Sequence, residues 1–255
     1  VITGIVVALP EELSTLTSKK MTKGCSYFIT KKILVIYSGA GPNNAQLATE
    51  QLISQGATKL ISWGCAAALI ESLSPGDLIL ANEIITTEES NSVKLNISQK
   101  WHQRTKELLS SLVNVKIGSL VESKSIVSSS EDKKKIQTST NSVALDMESI
   151  AIAKIANQHK LPFIAIRVIA DPADMNLPLA VTYALNQQGE VSISKLLYYL
   201  AHHPTELPGL IKLGLHFKAA TKTLKLIAKH LDAITSYQED HLRTLTFTFN
   251  PTLRI

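Results

Sequence analysis

The feature that most narrows the fold of this chain is a recurring alternation: short, largely apolar runs, separated by glycine or proline turns and helix-length segments. Val1–Leu9 and Ile33–Ser38 carry a strand pattern, and Asn43–Gln55 is predicted as a helix opening just after the turn Gly39-Ala40-Gly41. Leu60–Trp63 is the next strand, ending at Gly64. It is followed by a turn and strand around Pro75–Ala81, a polar helix near Gln99–Leu112 and a strand near Gly118–Val121. Residues 128–142 are polar and predict a surface helix or loop, with the run Lys133-Lys134-Lys135 as a solvated face. Helix Met147–His159, the turn Lys160-Leu161-Pro162 and strand Phe163–Ile169 complete the pattern. Such alternation with short connections specifies an α/β sheet covered by helices on both faces. Ligands in these folds sit at the carboxyl ends of strands. Gly39–Gly41, Gly64–Ala68, Glu148 and Asp171 all fall at predicted strand ends or in the turns that follow.

With 255 residues and 45% hydrophobic content, the chain can fill one sizeable core. The apolar N-terminus lacks a basic leader region and reaches Glu11 and Glu12 almost at once, so a buried strand is expected there rather than a signal peptide. Gly, Pro or Arg breaks each apolar stretch short of the roughly 18 to 20 residues of a membrane span. Cys25 and Cys65 make no disulfide framework, and no Cys/His cluster has metal-ligand spacing. A reducing cytoplasm is the expected compartment, with no metal. The net charge of +5 comes with few aromatics and no nucleic-acid motif, so no nucleic-acid partner is expected.

Two acidic segments stand out. Ala144-Leu145-Asp146-Met147-Glu148-Ser149 is followed about twenty residues on by Arg167-Val168-Ile169-Ala170-Asp171-Pro172-Ala173-Asp174. Cleaving a purine from ribose needs one acid to protonate the leaving base, and a carboxylate to hold the sugar hydroxyls as the ring becomes oxocarbenium-like. Asp171 and Glu148 are the candidates for those roles. Each feature alone has a plainer reading. Asp171-Pro172 suits a turn or cap, while Asp146 and Glu148, like Glu11 and Glu12, suit helix starts. Cys65 suits a small buried thiol. Ser38-Gly39-Ala40-Gly41 is either a tight βα turn or a cradle of N–H groups for an anion or hydroxyl.

At these residues, from Gly4 to about Asp174, the chain resembles the nucleoside phosphorylase and nucleosidase superfamily, whose adenine-specific hydrolases cleave methylthioadenosine and S-adenosylhomocysteine. The resemblance implies a three-layer fold with a twisted mixed sheet, subunits paired as a dimer, no cofactor, and either water or inorganic phosphate as nucleophile. It implies that Glu12 lies near the attacking nucleophile and ribose, beside the loop of Ser38, Gly39 and Gly41. It places Gly64 and Cys65 at the substrate, with Cys65 where the family often has Ser. Ile126 and Val127 would read adenine through backbone groups, Met147 and Glu148 would hold the ribose, and Asp171 would be the general acid at adenine N7. Over nearly the whole chain a narrower resemblance holds, to the hopanoid-associated phosphorylases, a group thought to remove adenine from adenosylhopane. Ala144–Ser149, Ala170–Asp174, Leu177-Pro178 and His203–Pro208 carry it. The chain departs from the superfamily in having Ala67 and Ala68 where glycines are usual. It also has Pro10-Glu11-Glu12 and Ser62-Trp63 where phosphorolytic relatives use arginines. A second acid would repel phosphate, so these residues lean towards water.

Between Leu207 and Leu231, Leu210, Leu213, Phe217, Ala220, Leu224, Ile227 and Leu231 form one helical stripe, accompanied by five lysines and no acid. The stripe either packs on the core or a second subunit, or lies in an anionic membrane surface. The second reading fits a lipid-linked nucleoside with a bulky apolar 5′ substituent, and places the protein peripherally on the inner membrane face. The expected organisation is a catalytic domain over 1–200, a basic amphipathic helical extension over 201–232, and a tail of unassigned role over 233–255. The alternatives are a methylthioadenosine/S-adenosylhomocysteine nucleosidase and, from another class, a non-catalytic purine-binding or membrane-docking protein.

Overall fold

The computed structural model describes residues 1–86, 94–95, 97–184 and 192–237. The apolar runs become the strands β1 (Ile2–Val7), β3 (Ile33–Tyr37), β4 (Ala57–Ala68), β5 (Leu78–Ile85), β7 (Val115–Glu122) and β9 (Phe163–Asp171). The more exposed β2 (Ser26–Thr30) and the short β6 (Lys94–Leu95) and β8 (Ala144–Asp146) complete one mixed sheet in the order β2-β3-β1-β4-β8-β7-β5-β6. Strand β9 lies off that path, parallel to β4 and antiparallel to β5. With the pairs β4–β8, β8–β7 and β7–β5, this closes a ring of five strands and removes most free edges around β9. Burial on both faces explains why β9 is apolar throughout except at Arg167 and its final Asp171.

Helices α1 (Pro10–Leu13), α2 (Pro42–Ser54), α3 (Gln99–Ser110), α4 (Ser130–Thr140) and α5 (Ser149–Gln158) connect these strands. After β9 come α6 (Leu179–Ala184), α7 (Ile193–His202), the long α8 (Leu207–Ala228) and α9 (Leu231–Thr235). Ile5, Val7, Leu52, Leu60, Trp63, Leu80 and Ile166 are fully buried at the centre.

Two expectations are corrected, and one left open is resolved. Strand β4 does not end at Gly64 but continues to Ala68, with Gly64 opposite Arg167 and Ala67 opposite Asp171. Gly64 is therefore an interior residue that leaves room above the strand, not a turn. Lys133 is not solvated: α4 turns it inward beside Ile136, and it is wholly buried. The stripe on α8 is the face turned to the core. Ala220, Leu224 and Ile227 are fully buried and Leu210, Leu213 and Phe217 half-buried, because β9 needs an apolar cover. The basic segment is thus built into the body of the fold, and its outer face carries a different set of residues: Leu207, Ile211 and Leu215, then Lys218, Lys222, Lys225 and Lys229.

Candidate active site

Five chain segments converge where β1 and β3 end, level with Gly64 of β4 and Arg167 of β9. Beyond β1, Pro10 starts the single turn of α1, which turns Glu12 back over the strand end. Its Oε2 accepts from the N–H groups of Ala8 and Leu9 (3.3 and 3.1 Å), and its Oε1 accepts from the Cys65 N–H at 2.7 Å. That position lies directly above Gly64: a Cβ there would stand 2.5 Å from Glu12 Oε1 and 2.7 Å from Arg167 Nη1. A side chain at 64 would push Glu12 or Arg167 out of its hydrogen bonds, so glycine preserves this arrangement.

Strand β8 runs antiparallel to β4, which carries Asp146 and Glu148 back alongside it towards Arg167. Every nitrogen of that guanidinium has a protein partner. Nε meets Asp146 Oδ2 at 2.6 Å and Ser149 Oγ at 3.2 Å, and Nη1 donates to Cys65 O at 3.3 Å. Nη2 donates to Ser62 Oγ at 2.6 Å and reaches Glu148 Oε2 at 3.5 Å. An arginine 1% exposed within a hydrophobic strand requires this degree of satisfaction. The glycine turn after β3 adds a further link: Gly41, at φ 94°, donates its N–H to Glu148 Oε1 at 2.9 Å. The N–H of Gly41 thus holds the protein's own carboxylate, while the Ser38 hydroxyl donates to Val7 O and Gly39 O.

Three buried carboxyls, Glu12, Asp146 and Glu148, surround one guanidinium. Burial pushes the Glu12 pKa up from 4.5 to about 7, against the opposing pull of Arg167 and the Cys65 N–H. Glu148 is raised as well, first by burial and then by Asp146, with Arg167 opposing. Burial also pushes the Cys65 thiol well up, and the neighbouring Glu12 adds to it. Cys65 is accordingly a neutral thiol and not a nucleophile.

Asp171 ends β9, level with Ala67. Its Oδ1 accepts from Lys133 Nζ at 2.7 Å, and the same ammonium donates to Pro172 O and Met175 O, both at 2.9 Å. Burial raises the Asp171 pKa, and Lys133 counteracts it. Ile126 and Val127 follow β7, with Ile126 exposed and Val127 packed on Leu69, Val121 and Leu145; Met147 is half-buried between Asp146 and Glu148. Glu12, Gly64, Cys65, Gly41 and Glu148 are joined through direct contacts with one another or with Arg167, whereas Asp171 stands farther along, at the end of β9. Arg167 and Lys133 were not expected in the site. A charge inside the run Phe163–Ile169 was a visible signal for Arg167, while the spacing of Lys133 to Ile136 was a faint one.

Buried acids group over the sheet here, and the comparisons with known proteins make this an enzyme of the nucleoside phosphorylase/nucleosidase type. The chain belongs to the Phosphorylase superfamily, whose family model matches residues 3–198. It is 27% identical over 219 residues to the 5′-methylthioadenosine/S-adenosylhomocysteine nucleosidase of Staphylococcus haemolyticus, covering 75% of this chain and 95% of that protein. The Staphylococcus epidermidis nucleosidase is 27% identical over 197 residues, covering 67% and 86%. Among solved structures, the Helicobacter pylori 5′-methylthioadenosine/S-adenosylhomocysteine nucleosidase with butyl-thio-DADMe-Immucillin-A superposes with a TM-score of 0.68 at 19% identity, covering 92% of this chain and 97% of that one. Futalosine hydrolase of Helicobacter pylori gives 0.67 at 19% identity, again covering 92% and 97%. At these identities the structures establish the shared fold.

Proposed function

We propose that this enzyme hydrolyses the N-ribosidic bond of an adenine nucleoside, with water rather than phosphate as the nucleophile. The observation that carries the choice of nucleophile is the charge balance: three buried carboxyls face one guanidinium whose nitrogens are all engaged. A phosphate dianion entering beside Glu12 and Glu148 would meet like charge, and the Arg167 guanidinium is already paired with Asp146 and Glu148. The names of the curated relatives support an adenine thionucleoside as substrate.

In this reading, Asp171 donates a proton to adenine N7 as the C1′–N9 bond breaks, so the base leaves neutral. Oδ1 is held by Lys133, which leaves Oδ2 for the purine. Glu148, steadied by the Gly41 N–H, accepts from the ribose hydroxyls. Glu12 takes the proton from the attacking water, and a carboxyl of pKa about 7 is matched to that task near neutral pH. Purified enzyme with methylthioadenosine should release adenine at the same rate with and without added phosphate. Release that needs phosphate would reject the proposed nucleophile.

A second reading concerns the 5′ substituent. Ile193, Leu197 and Tyr198 on α7 and Leu207, Ile211 and Leu215 on α8 are exposed, beside the outer lysines of α8. Together with the resemblance to the hopanoid-associated group, these exposed residues support a lipid-linked adenine nucleoside reached at an anionic membrane surface. Flotation with anionic vesicles at low salt should carry the protein upward, and Ile211→Glu with Leu215→Glu should abolish it. Absence of flotation, together with efficient turnover of methylthioadenosine, would leave the thionucleoside reading alone.

A further inference from the structure

Lys133 is the fully buried cation that nucleoside chemistry alone does not call for. We propose that it is a positioning residue which sets the general acid Asp171 in register with the base-binding edge of the site. The proposal rests on the reading of Asp171 given above.

Three bonds from one ammonium fasten the segment 171–175 to α4: one to Asp171 Oδ1 at 2.7 Å, and two to the carbonyls of Pro172 and Met175 at 2.9 Å. Two more links join the same segments. Leu177 N–H donates to Ser128 O at 2.8 Å, and Ser130 N–H donates to Asn176 Oδ1 at 2.7 Å. The residues just before Ser128 are Ile126 and Val127, the stretch expected to read the adenine edge. Acid and base-reading backbone are therefore tied together, and among the described residues it is Lys133 that bonds the carboxylate itself. By occupying Oδ1 it fixes the plane of the carboxyl, so that the remaining oxygen is presented in one orientation. A proton donor misplaced by about 1 Å costs on the order of 100-fold in rate.

The charged groups facing Asp171 are Lys133, which favours its ionised form, and Asp174, which disfavours it. Removing Lys133 leaves burial and Asp174 unopposed, so Asp171 keeps its proton to higher pH. The expected signature of K133M is a kcat lowered about 10- to 100-fold with KM changed less than about threefold, and an alkaline limb of the kcat pH profile moved upward. In a D171N background the same substitution should change the residual rate by less than about twofold, because Lys133 acts through Asp171.

The test is steady-state adenine release by wild type, K133M, D171N, K133M/D171N and K133R, each with a thermal melt. K133R keeps the charge and should fold; its longer fork displaces the carboxylate, so kcat falls while the alkaline limb stays. Equal losses from K133M in both backgrounds, an effect on KM alone, or wild-type kcat in K133R would each overturn the proposal. Should K133M not fold, the K133R rate and pH profile decide it. Failure of wild type to release adenine, or full activity in D171N, would instead reject the underlying reading of the site.

Discussion

Glu12→Gln separates the chemistry of the site from its stability, and the magnitude follows from the structure. Glu12 is 2% exposed, with a folded pKa of about 7 against an ordinary 4.5. The folded state therefore binds a proton more tightly than the unfolded chain, and stability falls as pH rises from about 4.5 to about 7. Above that window the penalty levels off at about 3.5 kcal/mol, at about 1.4 kcal/mol for each tenfold change in proton affinity. Glutamine carries no charge and is free of that penalty. It does place an amide NH₂ against either the Cys65 N–H or those of Ala8 and Leu9. That mismatch costs about 1 to 3 kcal/mol and does not vary with pH. The quantity to read is thus the change with pH in the stability difference between E12Q and wild type, from urea melts at about pH 5 and about pH 8.5. The variant should gain about 2.5 kcal/mol relative to wild type over that range, while losing on the order of 100- to 10,000-fold in kcat. A stability difference that does not change with pH would refute the reasoning, because Glu12 would then ionise in the fold as it does in water.

Other substitutions test the rest of the constellation. Gly64→Ala places a methyl group 2.5 Å from Glu12 Oε1 and 2.7 Å from Arg167 Nη1, so kcat/KM should fall at least about tenfold in steady-state assays. Cys65→Ala should keep activity within about threefold, and an unreactive thiol in titration with a disulfide reagent at neutral pH would confirm its neutral form. Arg167→Met strands Asp146 and Glu148 without their cation and should cost about 3 to 5 kcal/mol in chemical denaturation, or prevent folding.

The strands and the acids were legible in the sequence because each leaves a local mark. Apolar runs such as Phe163–Ile169 signal burial, and carboxylates at strand ends signal a site in this class of fold. Contacts between distant segments leave no such mark. Gly64 looks like a turn residue until Glu12, fifty-two positions earlier, is seen to occupy the space above it. Lys133 sits in a run of three lysines, and only the rotation of α4 selects it for the interior while Lys135 pairs outside with Glu131 and Asp132. On α8 the apolar stripe was correctly periodic, but periodicity does not say what covers it. The core takes that stripe, and Leu207, Ile211 and Leu215 remain on the outside.

The most direct test of the central claim is the identity of the sugar product when the enzyme turns over methylthioadenosine in phosphate buffer, read by mass spectrometry and phosphorus NMR. Hydrolysis with Glu12 as base predicts free methylthioribose and adenine in equal amounts, with no sugar phosphate. Accumulation of the sugar 1-phosphate would contradict it, and would mean that a site with three buried carboxyls admits phosphate after all.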